Sequence, residues 1–305
     1  MNILFSSTKE KPKFWFPLLQ KLLPGDRFFA WPDINGGDID IALVATHQPR
    51  TFANLRKLRL IQSLWMGVEN IVHDTDLPRG VPVARLIDPG MVAAMGETVI
   101  AFVLDWHRHF YCYRTFQNQK AWKRRRQYLA SDRTVGILGL GELGGSIAAK
   151  LRAMDFHVAG WSRRPKSLDG VYCSTDLDDI LARSDAVVCL LPLTPHTRGI
   201  LDKEKLQKIR KDGCLINVAR GGHVVVPDLL AALDSKHLAH AYLDVFEPEP
   251  LPAESPLWTH PGITLTPHIA ALSEPRTSVA KIAENIERVR RGEAPLNTVD
   301  FAAGY

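Results

Sequence analysis

An α/β fold made of two doubly wound parallel sheets is what three features of this 305-residue sequence predict. The first is Thr134 to Leu151, TVGILGLGELGGSIAAKL, where an apolar run of strand length breaks at three glycines and passes into an amphipathic segment. The second is the rhythm that follows, in which apolar runs recur between helical segments as far as Thr266. Such alternation implies parallel strands joined by right-handed crossovers. The third is that residues 1 to about 95 show the same rhythm before a long helical stretch, so they read as an α/β unit of their own.

In the first unit, Asn2 to Ser6 is a short buried strand, and Phe14 to Leu23 carries apolar residues at helical intervals until Pro24-Gly25 stops the helix. Ile39 to Ala45 is a near-continuous apolar run of the kind parallel sheets use. Leu60 to Trp65 is a third strand, running into Met66-Gly67-Val68-Glu69. Gly67 permits an exposed turn at the carboxyl end of that strand, where open α/β sheets bind ligands and where N–H groups can face a carboxylate. From Met91 to Phe110 the pattern becomes a long helix, with Met95, Thr98, Val99, Phe102, Val103 and Trp106 along one stripe. Its aromatic flank, Phe110, Tyr111, Tyr113 and Phe116, suits a subunit interface, and core packing explains it almost as well.

The second unit opens on the glycine loop. Val135 to Leu138 reads as a buried strand, and Gly139, Gly141 and Gly144 form G-x-G-x-x-G before a helix whose Leu143, Ile147, Leu151 and Met154 face the sheet. Strand, turn and helix start bring backbone N–H groups and the positive end of a helix dipole to one point, where a pyrophosphate can sit. The glycines serve the turn, the approach of the phosphate, and close helix packing. The next strand, His157 to Trp161, ends in Ser162-Arg163-Arg164. A carboxylate there would bind the ribose 2′-OH of NAD; two guanidiniums instead suit the extra phosphate of NADP, so NADPH preference is expected. Ala186 to Leu191, Cys214 to Val218, Ala241 to Val245 and Ile263 to Thr266 complete the sheet, each preceded by a helix. The first of them ends in the rigid turn Leu191-Pro192-Leu193-Thr194-Pro195.

The last three strand ends carry chemistry. Arg220 stands after Asn217-Val218-Ala219 and before two glycines, Glu249 lies in the acidic, proline-stiffened loop after Leu243-Asp244, and His268 follows Thr266-Pro267. Parallel strands put all three ends on one edge. Hydride transfer to a 2-keto acid needs these side-chain types. A guanidinium fixes the carboxylate and polarises the keto oxygen. A histidine supplies the proton. A carboxylate orients the ring and stabilises its protonated form.

Composition sets outer bounds. At 46% hydrophobic and 23% charged, the chain is globular and large enough for two cores. No apolar run approaches the roughly 20 residues of a bilayer span, and the start lacks a signal-peptide pattern. Cys112, Cys173, Cys189 and Cys214 stand singly, which predicts a reduced cytoplasmic setting with neither disulfides nor a metal site. The net charge of +5 is densest at Lys123 to Arg126, but no nucleic-acid-binding motif accompanies it. A basic surface equally favours an anionic cofactor and small carboxylates.

GILGLGELGG, NVARGG, LDVFEPEPLP and TPHIA together resemble the D-isomer-specific 2-hydroxyacid dehydrogenase family. WSRR, ARGGHVV, DVFEPEPLPAESPLW, TPHIAAL and the closing GY are most similar to its glyoxylate/hydroxypyruvate reductase A group. The resemblance runs over nearly the whole chain. It implies NADPH-dependent reduction of glyoxylate to glycolate or hydroxypyruvate to D-glycerate, with NADH weaker, in a homodimer joined through the cofactor domain. It implies Arg220 as the substrate arginine, His268 as the acid/base and Glu249 as its partner. The amides of Met66 and Gly67 would join Arg220 and His268 in holding the substrate. Gly139, Gly141, Glu142, Leu143, Ser162, Arg163, Arg164, Leu191, Pro192, Val218, Ala219 and Asp244 would line the cofactor. It also implies a Rossmann cofactor domain, 97–271, inserted into a flavodoxin-like substrate domain, 1–96 plus 272–305, the latter receiving a return helix from Glu274 to Gly292. Three departures touch substrate choice: Val225 and Val226 replace an acid common in relatives, Glu274 replaces an arginine, and the loop Ala45 to Arg50 is atypical. Two other readings share much of this pattern. One is a dehydrogenase for a larger, phenylpyruvate-type acid; the other is a nucleotide-sensing corepressor like the C-terminal-binding proteins, although the chain has no regulatory tail and carries Ser162-Arg163 where an NAD(H) sensor would want an acid.

Overall fold

The computed structural model of the chain describes residues 1–34 and 38–301. The closing Gly304-Tyr305 therefore lies outside the described residues. The chain divides into two compact units, Met1–Met91 with the segment from Leu272 onward, and Val92–Ala271. One division falls at Met91/Val92, inside a helix, and the other at Ala271/Leu272.

The first unit contains β1 (Asn2–Ser7), α1 (Pro12–Leu22), β2 (Arg27–Ala30), β3 (Ile41–Ala45), β4 (Leu60–Ser63), α2 (Glu69–Val72) and β5 (Val83–Ala84). Its sheet is wholly parallel, in the order β2-β1-β3-β4-β5, which is the flavodoxin-like winding. β2 and β5 were not expected. β2 is a half-buried strand at one edge of the sheet, and β5 spans two residues, too few for any periodic signal.

The second unit holds α3 (Pro89–His107, entered from the first unit), α4 (Phe110–Asn118), β6 (Thr134–Leu138), α5 (Glu142–Arg152), β7 (His157–Trp161), β8 (Tyr172–Ser174), α6 (Leu177–Arg183), β9 (Ala186–Cys189), α7 (Lys203–Lys208), β10 (Gly213–Asn217), α8 (Val226–Asp234), β11 (Leu238–Leu243) and β12 (Ile263–Leu265). Seven parallel strands lie in the order β12-β11-β10-β9-β6-β7-β8, so the winding reverses between β6 and β9. Ligands of open α/β sheets bind outside such a reversal. The expected rhythm fails twice. β7 passes to β8 without a helix, and β11 reaches β12 through a single 3-10 turn, Pro256–Trp258.

By length and composition α3 is apolar enough to cross a membrane, contrary to the expectation that no such run exists. Its Met95, Val99, Val103 and Trp106 are nevertheless buried in the same cluster as Val135, Ile137 and Ile147, so here it is a core helix. A separate cluster fills the opposite side, built from Leu138, Val187, Leu215, Leu229 and Leu243. The chain then returns to the first unit as α9 (Pro275–Arg290), whose Val279, Ile282 and Ile286 pack with Trp15 and Leu19 of α1.

One regularity positions everything that follows. In the pairing registers, Trp161 sits beside Leu138, Leu138 beside Cys189, Cys189 beside Asn217, Asn217 beside Leu243, and Leu243 beside Leu265. Each of these is the last residue of its strand. Six strands therefore stop at one level, spaced about 4.8 Å apart.

Candidate active site

At the centre of that level, Gly139 adopts φ +106°, which disfavours any residue with a Cβ. An added methyl there would also meet Leu190 O at 3.1 Å, across the winding reversal. At Gly144 a methyl would lie 2.0 Å from Gly139 O, so α5 packs directly on the turn. Gly141 differs: nothing lies within 4 Å of the position its Cβ would take. It is the N-cap of α5 and supplies no side-chain cap, which leaves the first N–H groups of the helix to a ligand. An uncapped helix start behind an open glycine fits a dinucleotide pyrophosphate. Glu142 is exposed and Leu143 half-buried beside it.

Beyond β7, Ser162 is buried and its Oγ donates to Arg164 O at 2.7 Å, which shapes the turn. Arg163 and Arg164 are exposed. The sequence reading missed Lys166, whose Nζ donates to Leu140 O in the glycine loop at 2.6 Å. It brings a third cation to this end, and the only hint was its place two residues after the arginine pair. On the other side of the glycine loop, Leu191 is buried and Pro192 half-buried. The turn is held by Thr197, whose Oγ1 donates to Pro192 O at 2.7 Å.

At the end of β10, Val218 and Ala219 are buried and Asn217 fixes the exit. Its side chain donates to Arg220 O at 2.9 Å and accepts from Ala219 N at 3.2 Å. His223, fully buried, places its ring nitrogens 3.1 Å from Arg220 O and 3.2 Å from Pro192 O, joining this exit to the neighbouring turn. Neither residue was singled out from the sequence, because backbone carbonyls as partners leave no trace in it. The Arg220 guanidinium donates to Ala219 O at 2.6 Å. At Gly221 an added methyl would come within 2.1 Å of the Phe246 carbonyl carbon. The loops leaving β10 and β11 thus lie in contact.

Glu249 and His268 meet directly, with Nδ1 of the ring 2.8 Å from Oε2 of the carboxylate. The other carboxylate oxygen accepts from Phe246 N at 2.9 Å. With Nδ1 taken as the donor, Nε2 is the atom that can serve a substrate. His268 adopts φ +55°, a left-handed conformation uncommon outside glycine and asparagine. Asp244 holds it there. That carboxylate is fully buried and accepts from Thr266 Oγ1 at 2.6 Å, Ile269 N at 2.9 Å and Ala270 N at 2.9 Å. The oxygens of Asp244 thus brace the loop that carries His268.

Met66 and Gly67 belong to the first unit and follow β4 there. Ser63 shapes their loop by donating to Trp65 O at 2.8 Å and accepting from Trp65 N at 3.0 Å, while Trp65 Nε1 donates to Glu10 at 2.9 Å. Glu274, the departure noted in the sequence, caps α9 by accepting from Arg276 N at 3.1 Å. Among the described residues, no group of three or more His, Cys, Asp or Glu side chains could hold a metal ion.

Residues 100–270 match the family profile described as D-isomer specific 2-hydroxyacid dehydrogenase, NAD binding domain. Similar solved structures cover the whole chain. A D-isomer specific 2-hydroxyacid dehydrogenase from Xanthobacter autotrophicus Py2, in complex with NADPH and MES, is 40% identical over 100% of this chain and 99% of its own, with TM-score 0.95. An NADPH-dependent glyoxylate/hydroxypyruvate reductase from Sinorhizobium meliloti, in complex with NADP and sulfate, is 35% identical over 100% and 99%, with TM-score 0.93. A probable 2-hydroxyacid dehydrogenase from Rhizobium etli CFN 42, in complex with NADP, HEPES and L(+)-tartaric acid, is 34% identical over 100% and 99%, with TM-score 0.90.

Proposed function

The chain belongs to the D-isomer specific 2-hydroxyacid dehydrogenase family, and from that premise we propose that it reduces a small 2-keto acid, glyoxylate or hydroxypyruvate, with NADPH. The observation that carries this reading is the contact of Glu249 with His268 at the strand edge that also bears Arg220 and the open glycine loop. When bound, the nicotinamide supplies a hydride to the keto carbon. Arg220 fixes the substrate carboxylate and polarises the keto oxygen. His268 gives its Nε2 proton to that oxygen as the alcohol forms, and Glu249 keeps the ring turned so that Nε2 is presented.

The N–H groups that follow Gly141 would hold the pyrophosphate, with Leu191, Pro192, Val218 and Ala219 flanking the cofactor. Arg163 and Arg164, with Lys166 beside them, take the 2′-phosphate, for which no competing carboxylate stands in Ser162–Lys166. The homodimer reading draws on the second unit, where Phe110 and Trp122 are strongly exposed. Light scattering of the purified chain tests it.

A panel of glyoxylate, hydroxypyruvate, pyruvate and phenylpyruvate, assayed with both coenzymes, tests the reaction. We expect the two small acids to lead; a phenylpyruvate preference would replace them with the larger-substrate reading. NADPH should exceed NADH in kcat/KM, and a ratio below one would remove the coenzyme claim. His268→Ala should lower kcat by at least roughly 10²-fold while NADPH binding is kept. Near-normal turnover in that variant would count against the assignment.

A further inference from the structure

Glu247 and Glu249 stand two residues apart in the loop that leaves β11, yet the structure gives them different partners. Glu249 faces His268, whereas Glu247 meets Arg198 through two nitrogens, at 2.5 and 3.1 Å. Arg198 comes from the loop that leaves β9, the one carrying Leu191 and Pro192. The pair closes over the loop leaving β10. A methyl on Gly222 would come 2.7 Å from Glu247 Oε2 and 2.9 Å from Arg198 Nη1. Three consecutive strand exits are therefore stacked at this point.

Both partners are about half exposed, at 54% and 51%. An ion pair so open adds little to folding stability. What a two-pronged guanidinium–carboxylate contact does is fix direction, because the planar fork accepts one orientation of its partner. The Glu247 carboxyl is held below its ordinary range by hydrogen bonding to Arg198, so the pair stays charged at neutral pH. Between Glu247 and Glu249 the backbone is restricted by Pro248, and Pro250 follows. Glu249 is also tied to the same loop through Phe246 N. A shift of Glu247 is thus passed to Glu249 rather than absorbed between them.

We propose that Arg198 is a positioning residue for the reaction: by gripping Glu247 it keeps Glu249 against Nδ1 of His268, and it ties that pair to the loop bearing the Leu191–Pro192 turn. The inference rests on the reading of His268 as proton donor. Arg198→Gln should lower kcat about tenfold, the scale of a small misplacement at a reacting group. The KM for the keto acid and the Kd for NADPH by fluorescence should stay within about twofold of wild type, and the melting temperature within about 2 °C, since the pair is exposed. Glu247→Gln should match it, and the double variant should be no worse than either single, as expected for two residues acting as one unit. The swap Arg198→Glu with Glu247→Arg should recover most of the lost turnover. Long-range ¹⁵N–¹H correlation spectra supply a readout independent of turnover. They should show the Nδ1–H tautomer of neutral His268 dominant in wild type and reduced in Arg198→Gln.

Unchanged kcat and tautomer in Arg198→Gln would overturn the proposal. So would additive losses in the double variant, or a loss of turnover that travels with equal losses of NADPH affinity and melting temperature. If the wild-type chain reduces none of the keto acids, the functional reading falls on its own, and the tautomer comparison still decides the positioning role.

Discussion

Replacing Gly221 by alanine tests whether Arg220 and the Glu249–His268 pair depend on close contact between their loops. The added Cβ would lie 2.1 Å from the Phe246 carbonyl carbon and 2.5 Å from both Phe246 Cα and Glu247 N. All three are backbone atoms, so no side chain can swing aside. Carbon atoms rest at about 3.5–4.0 Å, and the two loops must therefore part by roughly 1.4 Å. Gly221 has no positive φ, so alanine meets no strain from its own backbone and the effect is steric. Overpacking of this kind costs about 1–3 kcal/mol of stability. The catalytic cost is of similar size, since a misplacement of about 1 Å lowers rate on the order of 10²-fold, or about 2.7 kcal/mol of barrier. We expect kcat/KM to fall by about that factor, measured by NADPH oxidation. Gly25→Ala is the control, because nothing lies within 4 Å of its added methyl and the site is an exposed turn. A Gly221→Ala enzyme within twofold of wild type would refute the argument that these loops are in register through contact.

Gly141→Ala should leave the fold intact, since its methyl meets no protein atom, yet weaken NADPH binding at least about tenfold by occupying the phosphate approach; an unchanged Kd would place the pyrophosphate elsewhere. Asp244→Asn replaces one acceptor oxygen with an amide, so one of the three bonds bracing the His268 loop is lost. Urea unfolding should register about 1.5–3 kcal/mol, and a change under about 0.5 kcal/mol would mean the brace is not needed. Burial holds the His240 imidazole down at about 4. Unfolded, it titrates near 6.5, so between pH 6.5 and 4 the unfolded chain binds the extra proton and stability falls as pH falls, by about 3 kcal/mol in all. His240→Gln should flatten that stretch of the stability profile, and an unaltered slope would assign the acid sensitivity to other groups.

The fold was legible where elements are long and one-sided. β6, α5 and α3 carry their period on the page, and the glycine loop names its own turn. The short strands β2, β5 and β8 were not legible, because four residues or fewer show no alternation and owe their pairing to a neighbour far along the chain. The helix assumed between β11 and β12 is absent for a related reason, as the proline-rich stretch from Pro248 to Pro256 suits an extended path better than a helix. Within the site, the types of Arg220, Glu249 and His268 pointed to their chemistry. The roles of Asp244, Asn217, His223, Lys166 and Arg198 did not show, since each depends on a partner 3 to 49 positions away and four of the five use a backbone group as that partner. Charge and hydropathy patterns describe what a residue is, and those five matter for what they touch.

The common level at which six strands stop has a further consequence. The glycine loop, Arg220, Glu249 and His268 each hang from their own connecting segment, rooted in the same plane, so an edit to one segment leaves the strands beneath the others in place. New selectivity is therefore reachable by local edits at the strand exits, made together where those exits touch, while the hydrogen-bonded platform beneath stays as it is.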